Sequence, residues 1–252
     1  MFFKFNIKSV AHIIVCFLCH QLIGISMDDN DTKASRNPEN KVAVNAMFPG
    51  TSMPDQDWWK VLWPNPQGVV VSLGVKSHMV SIDLCCGDGY FTVPLAQNSL
   101  RTYGLELDGT LIDKAREEIE KQNVKNCFLI QGDAMDIADL IPEKVDFILL
   151  ANTFHGIPDK EKIVKSMASA LKPEGKIAIV NWHKKEREET TVLGLPRGPK
   201  SEVRMPPQEV ESVLNPLGLV LEKTIELQPY HYGIIFNSIH SKEELNEKKD
   251  DK

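Results

Sequence analysis

The chain has 252 residues, with 29 basic and 35 acidic side chains and a net charge of −6. That length suits one catalytic-size domain with extensions and buries enough surface to fold without a disulfide or metal staple. Apolar content of 42% and charged content of 25% exclude wholesale disorder, and the acidic balance argues against a nucleic-acid groove.

Residues 1–26 differ from the rest. They carry Lys4 and Lys8 and no acid, and 12 of the 16 residues from Val10 to Ile25 are apolar. A basic start, an apolar run and the small residues Gly24 and Ser26 resemble a secretory signal, too short for a membrane span. An uncleaved anchoring leader and an upstream over-read start before Met27 are the alternatives, and any membrane contact is expected only through this segment. Cys16-x-x-Cys19 lies in the same run with no second pair, so no metal site is expected. Cys85, Cys86 and Cys127 bring the cysteines to five, an odd count that does not read as a disulfide framework. Residues 27–47 are polar and read as a linker, 48–240 as the folded domain, and 241–252 as a charged tail.

The tryptophan-rich stretch 58–64 reads as an N-terminal cap helix. From Val69 onward strand and helix patterns alternate. Strands are expected at Val80–Leu84, Thr102–Leu107, Cys127–Gln131, Val145–Leu150 and Lys176–Trp182. Helices are expected at Phe91–Asn98, Thr110–Asn123 behind an Asp108 cap, Lys160–Leu171 and Pro206–Leu217. Leu219–Leu227 and His231–Asn237 then face each other across a short turn. The pattern implies an α/β, doubly wound, seven-stranded sheet, mostly parallel with the last strand antiparallel.

In such a sheet, ligands bind beyond the carboxyl ends of the strands. The first loop there runs Asp83-Leu84-Cys85-Cys86-Gly87-Asp88-Gly89. Gly87 and Gly89 allow close backbone approach. Thr92 stands where a dinucleotide fingerprint needs its third glycine, and two flanking carboxylates repel a pyrophosphate. They suit a ligand with an ammonium group and a cationic centre. Strand two ends in Glu106, 17 residues after Gly89, where an acid accepts ribose hydroxyls. Gly132-Asp133-Ala134 follows strand three, where a carboxylate meets an adenine amino group. Strand four runs into Asn152-Thr153-Phe154-His155. Singly, each acid reads as well as a cap or a solvated loop residue, the better reading for Asp108 and Asp136.

This order of motifs resembles the class I S-adenosylmethionine-dependent methyltransferases over about residues 70–237, which implies a Rossmann-like fold. Asp83-x-Cys85-x-Gly87-x-Gly89 matches the first motif, D-x-G-x-G-x-G, except that Cys85 replaces its first glycine. A small residue serves there if its backbone is not left-handed. By the resemblance, Glu106 and Leu107 hold the ribose and adenine face, Asp133 and Ala134 the adenine edge, and Asn152 borders the methionine moiety. The segment from Asn152 to Asp159, followed by Ala170-Leu-Lys-Pro-Glu-Gly175, looks like the branch that includes quinone methyltransferases. No D/N-P-P-Y/F motif follows strand four, which argues against methylation of base or amide nitrogens.

The insertion Lys184–Arg204 is the candidate lid, with Arg197 and Arg204 as a clamp for an anionic acceptor or, equally, as solvated surface residues. Candidate bases are His155, preferred because its motif faces the methyl donor, and His183; a near-neutral pKa suits that task. Tyr232 is a further candidate on the substrate side. The expected activity is methyl transfer from S-adenosyl-L-methionine to a small or medium-sized molecule. A non-catalytic S-adenosylmethionine-binding module and a nucleotide-dependent oxidoreductase are the rivals. Dependence on this cytosolic cofactor, with unpaired cysteines, favours a cytoplasmic domain and a false start or dispensable leader.

Overall fold

The computed structural model describes residues 56–238, so the expectations for residues 1–26, 27–47 and 241–252 lie outside the described residues. Helices α1 (Gln56–Leu62) and α2 (Pro66–Leu73) come first. Asn65 caps α2 by accepting from the Gly68 N–H, Pro66 opens its first turn, and left-handed Gly74 ends it. There follow β1 (Val80–Leu84), α3 (Thr92–Gln97), β2 (Arg101–Glu106), α4 (Gly109–Lys121), β3 (Cys127–Gln131), α5 (Ile137–Leu140), β4 (Val145–Ala151), α6 (Lys160–Ala170) and β5 (Leu171–Trp182). A two-strand hairpin, β6 (Thr191–Val192) and β7 (Leu195–Pro196), precedes α7 (Pro207–Leu214), β8 (Leu219–Leu227) and β9 (His231–Ser238).

The main sheet has the order β3-β2-β1-β4-β5-β9-β8, with β9 antiparallel to both neighbours. This is the expected seven-stranded doubly wound sheet. The chain leaves β1 toward β2 and β3, then returns to β4 on the other side. The strand order therefore reverses between β1 and β4, which places the ligand crevice beyond their carboxyl ends. Successive strand residues face opposite sides. Ile148 and Leu150 of β4 pack with α5, α6 and α7, while Phe147 and Leu149 pack with α1, α2 and α3. Burial on both faces explains the unbroken apolar run of β4. No helix among the described residues is long and apolar enough to cross a membrane.

Two boundaries differ from expectation by three residues or more. The helix expected over Pro206–Leu217 stops at Leu214 and tightens into a 3-10 turn over Asn215–Leu217. Pro216 has no N–H to continue the α ladder. Strand β5 begins at Leu171, not Lys176, because Leu171 pairs with Val145 before the register shifts and Lys176 pairs with Phe147. Left-handed Glu174 makes the intervening bend.

Candidate functional site

The loop after β1 is built from left-handed backbone. Cys85, Gly87 and Gly89 have φ of 57°, 56° and 86°. The condition set for a small residue at Cys85, a backbone that is not left-handed, is not met. The turn demands left-handed backbone, and a side chain there costs about 1–2 kcal/mol. Gly89 has a second constraint: a Cβ would lie 3.1 Å from Ala115 of α4. Backbone bonds fix the loop, with the Cys86 N–H donating to Leu105 O and the Gly89 N–H to Cys86 O.

Two carboxylates flank this loop. Asp83 is only 2% exposed and accepts the Thr92 hydroxyl at 2.5 Å. Burial raises its pKa to about 7; the Thr92 bond opposes this, and Glu106 and Asp88 add to it. Thr92, read in the sequence only as a missing glycine, is thus the partner of Asp83. Glu106 at the end of β2 accepts three backbone N–H bonds: Leu107 at 2.9 Å and Asp108 at 3.0 Å on Oε1, and Gly87 at 3.0 Å on Oε2. Burial raises its pKa, and those three bonds hold the rise in check. A carboxylate has roughly four acceptor sites, so Oε2 keeps room for a hydroxyl. Cys85 and Cys86 are protonated thiols, their pKa values pushed well up by burial and the neighbouring carboxylates.

Asp133 Oδ1 accepts the Met135 N–H at 2.9 Å and caps the turn Ala134–Asp136. Leu107 and Ala134 are half-buried beside these acids. Asp108 caps α4 by accepting the Thr110 N–H at 2.8 Å, as expected. Asn152 follows β4 with a φ of 58°, and neither atom of its buried amide has a hydrogen-bond partner. Among the described residues no cation pairs with buried Asp83 or half-buried Glu106; with an amide lacking a partner, they fit a ligand carrying hydroxyls, an amino group and a positive centre. The cap helix is tied to this loop. The Tyr90 hydroxyl donates to Trp63 O at 2.7 Å, and Trp59 meets Tyr90 and Phe91 edge-on.

The substrate-side expectations fare differently. Arg204 is not a clamp. It is 1% exposed, and its guanidinium donates to the carbonyls of Pro199, Lys185 and Arg197 and to Thr190 Oγ1 at 2.9–3.1 Å. It gathers the insertion from within and leaves no fork for an acceptor. Tyr232 is wholly buried and donates its hydroxyl to Met205 O at 2.7 Å, so it does not reach a substrate. Arg197 lies over the Trp58 ring at 5.2 Å, joining the insertion to the cap helix. His155 is buried, and desolvation pulls its pKa down to about 4, with the Asn181 side chain opposing. That overturns the near-neutral pKa expected of it. His183 is partly exposed, and its Nε2 lies 2.9 Å from Glu226 Oε2. His231 is wedged between Trp63 and Trp182, at ring separations of 4.4 and 4.1 Å.

A family model described as "Methyltransferase domain" matches residues 75–225. The chain belongs to the class I S-adenosylmethionine-dependent methyltransferases. The chain is 33% identical over 112 residues to the demethylmenaquinone methyltransferase of Lactobacillus johnsonii, covering 43% of the chain and 46% of that protein. A Geobacillus protein of the same name is 25% identical over 126 residues, 48% of the chain and 51% of that protein. The matched region thus spans about half the length of these curated relatives. Two solved structures share the fold. One, a SAM-dependent methyltransferase from Aquifex aeolicus, has a TM-score of 0.61 at 23% identity, over 74% of this chain and 99% of that one. The other, the N-methyltransferase NodS from Bradyrhizobium japonicum with bound S-adenosyl-L-homocysteine, has a TM-score of 0.53 at 14% identity, over 68% and 85%.

Proposed function

We propose that the chain transfers a methyl group from S-adenosyl-L-methionine to a small or medium-sized molecule, in the quinone-methyltransferase-like branch. One observation carries the reading. Glu106 stands at the end of β2, its carboxylate held by three backbone N–H groups and bonded to the glycine loop that also carries buried Asp83. In this reading Glu106 accepts a ribose hydroxyl and Asp83 provides the negative field for the amino-acid end. Asp133 and Ala134 hold the adenine edge, Leu107 its face, and Asn152 the methionine end. The bound cofactor supplies an activated methyl group on a sulfonium. The chain's own residues orient the acceptor in line with it, which is worth about 7–11 kcal/mol.

Where the acceptor must lose a proton, His183 is a better base than His155. Glu226 holds its Nε2 at 2.9 Å, whereas His155 with a pKa near 4 is a weak base at neutral pH. The domain spans 48–240 in this reading, behind a leader at 1–26 and a linker at 27–47, and resides in the cytoplasm; N-terminal sequencing with fractionation checks this.

The test is calorimetry. Replacing Glu106→Ala is expected to weaken S-adenosylmethionine binding by roughly 1–3 kcal/mol, the size of a charge-assisted hydrogen bond. No binding by the parent chain, or equal binding of NADH, would reject the reading. Donor turnover over an acceptor panel, repeated with His183→Gln, then identifies the acceptor and the base.

A further inference from the structure

The two outer edges of the main sheet are not alike. An outer strand presents unpaired N–H and C=O groups that invite another chain, so such edges usually carry charges, a proline or a bulge. Strand β8 is guarded in this way. It carries Glu222, Lys223 and Glu226, and its register with β9 shifts between Leu221 and Lys223. Strand β3, Cys127-Phe-Leu-Ile-Gln131, has no charge, no proline and an unbroken register with β2.

The ladder fixes where its free groups point. Asn126 O accepts the Thr102 N–H, and the Gly132 N–H donates to Glu106 O, so even-numbered residues face β2. The N–H and C=O groups of Cys127, Leu129 and Gln131 therefore point outward. Cys127 and Leu129 are half-buried and Gln131 is exposed. Phe128 between them is 49% exposed, its ring 5.8 Å from that of Tyr103.

This edge is complementary to itself. Turned antiparallel about Leu129, it sets Cys127 against Gln131 of a second copy and Leu129 against Leu129. Every outward group then meets an outward group, as a hydrogen-bonded antiparallel pair requires. Phe128 falls opposite Ile130 on the same face, an aromatic against a β-branched residue, which is a favoured cross-strand pair. Just beyond the strand, exposed Lys125 falls opposite Asp133. Asp133 Oδ1 holds the Met135 N–H, and a carboxylate has roughly four acceptor sites, so it has room for an ammonium group besides an adenine amino group. Sliding the pair by two residues keeps the backbone bonds but loses both the Phe128–Ile130 and the Lys125–Asp133 contacts.

We propose that the protein forms a two-fold dimer by antiparallel pairing of β3 with β3 of a second copy, centred on Leu129. The two seven-stranded sheets become one continuous sheet. A second copy fits better than a foreign strand, because backbone, apolar and charged groups all match in one isologous register. A strand pair this short falls below the roughly 1,000 Å² of a firm interface, so dimer and monomer exchange in the micromolar range. The proposal does not rest on the methyltransferase reading.

The experiment uses the full chain. Sedimentation equilibrium under reducing conditions is expected to show monomer passing to dimer as concentration rises through the micromolar range. Lys125→Glu sets acid against acid at both ends of the seam, and Phe128→Thr removes the exposed ring while keeping a strand former. Each is expected to weaken the dimer at least tenfold. Gln131→Cys reads the register. Hydrogen-bonded antiparallel partners have Cα atoms about 5.5 Å apart, within disulfide reach, whereas positions 127 and 131 of one strand lie about 13 Å apart. Mild oxidation of this variant should give a covalent dimer, which the parent does not form and which Cys127→Ser in the same chain abolishes. A parent monomeric at several hundred micromolar would overturn the proposal. So would a dimer that Lys125→Glu or Phe128→Thr leaves at full strength, or a Gln131→Cys chain that forms no covalent dimer through Cys127.

Discussion

Replacing Asp83→Asn should stabilise the free protein and weaken its hold on the cofactor. Asp83 is 2% exposed, with a hydroxyl for a partner and no cation among the described residues, and burial raises its pKa from 3.8 to about 7. That gap corresponds to roughly 4 kcal/mol of penalty on the ionised form in the folded state. The sign follows from proton linkage. Below pH 3.8 the carboxyl is protonated folded and unfolded, and there is no penalty. Between pH 3.8 and 7 the folded state holds the extra proton, so the parent loses stability as pH rises through this window. Above it the whole penalty is present. An asparagine keeps the shape and an acceptor for the Thr92 hydroxyl but cannot ionise. The variant should therefore match the parent near pH 4 and exceed it by up to roughly 4 kcal/mol at pH 8. Urea unfolding at several pH values reads the difference, with unchanged slopes certifying the comparison. Calorimetry should show the opposite change in function, a loss of about 1.5–3 kcal/mol in S-adenosylmethionine binding. An asparagine variant no more stable than the parent at pH 8, or one with full cofactor affinity, would refute the reasoning.

Arg204→Ala should destabilise by at least about 1.5–3 kcal/mol, the size of one hydrogen bond to a charged group, since the side chain serves four oxygens of the insertion. Limited proteolysis should cut first within residues 184–204, and an intact insertion in the variant would contradict the role given to Arg204. Cys85→Val should lose more than about 1 kcal/mol in thermal melts, because a β-branched residue tolerates left-handed backbone poorly. Cys85→Gly should stay within about 1 kcal/mol of the parent, because relief of strain offsets the greater freedom of glycine in the unfolded chain.

How legible this molecule is in its sequence depends on what each residue's role requires. Strand order follows from apolar runs, and the run Phe147–Leu150 announces burial on two faces before any neighbour is known. Glu106 and Asp83 are legible because both stand where an apolar strand meets its loop. Arg204 is not. The same arginine reads as a solvated cation or an anion clamp until the carbonyls of Lys185, Arg197 and Pro199 are seen to converge on it, and those meet only after the insertion has folded. His155 fails for a related reason: its place after β4 is visible in the sequence, but its burial and hence its pKa are not. Cys85 shows the limit most plainly. The sequence places a cysteine where a glycine is expected, which argues against positive φ, and the turn imposes a φ of 57° all the same. The loop must bring Cys86 N–H to Leu105 O and Gly87 N–H to Glu106 within three residues of the end of β1. Those bonds, tied to β2, fix the backbone more strongly than one side chain can resist, since the strain is only about 1–2 kcal/mol.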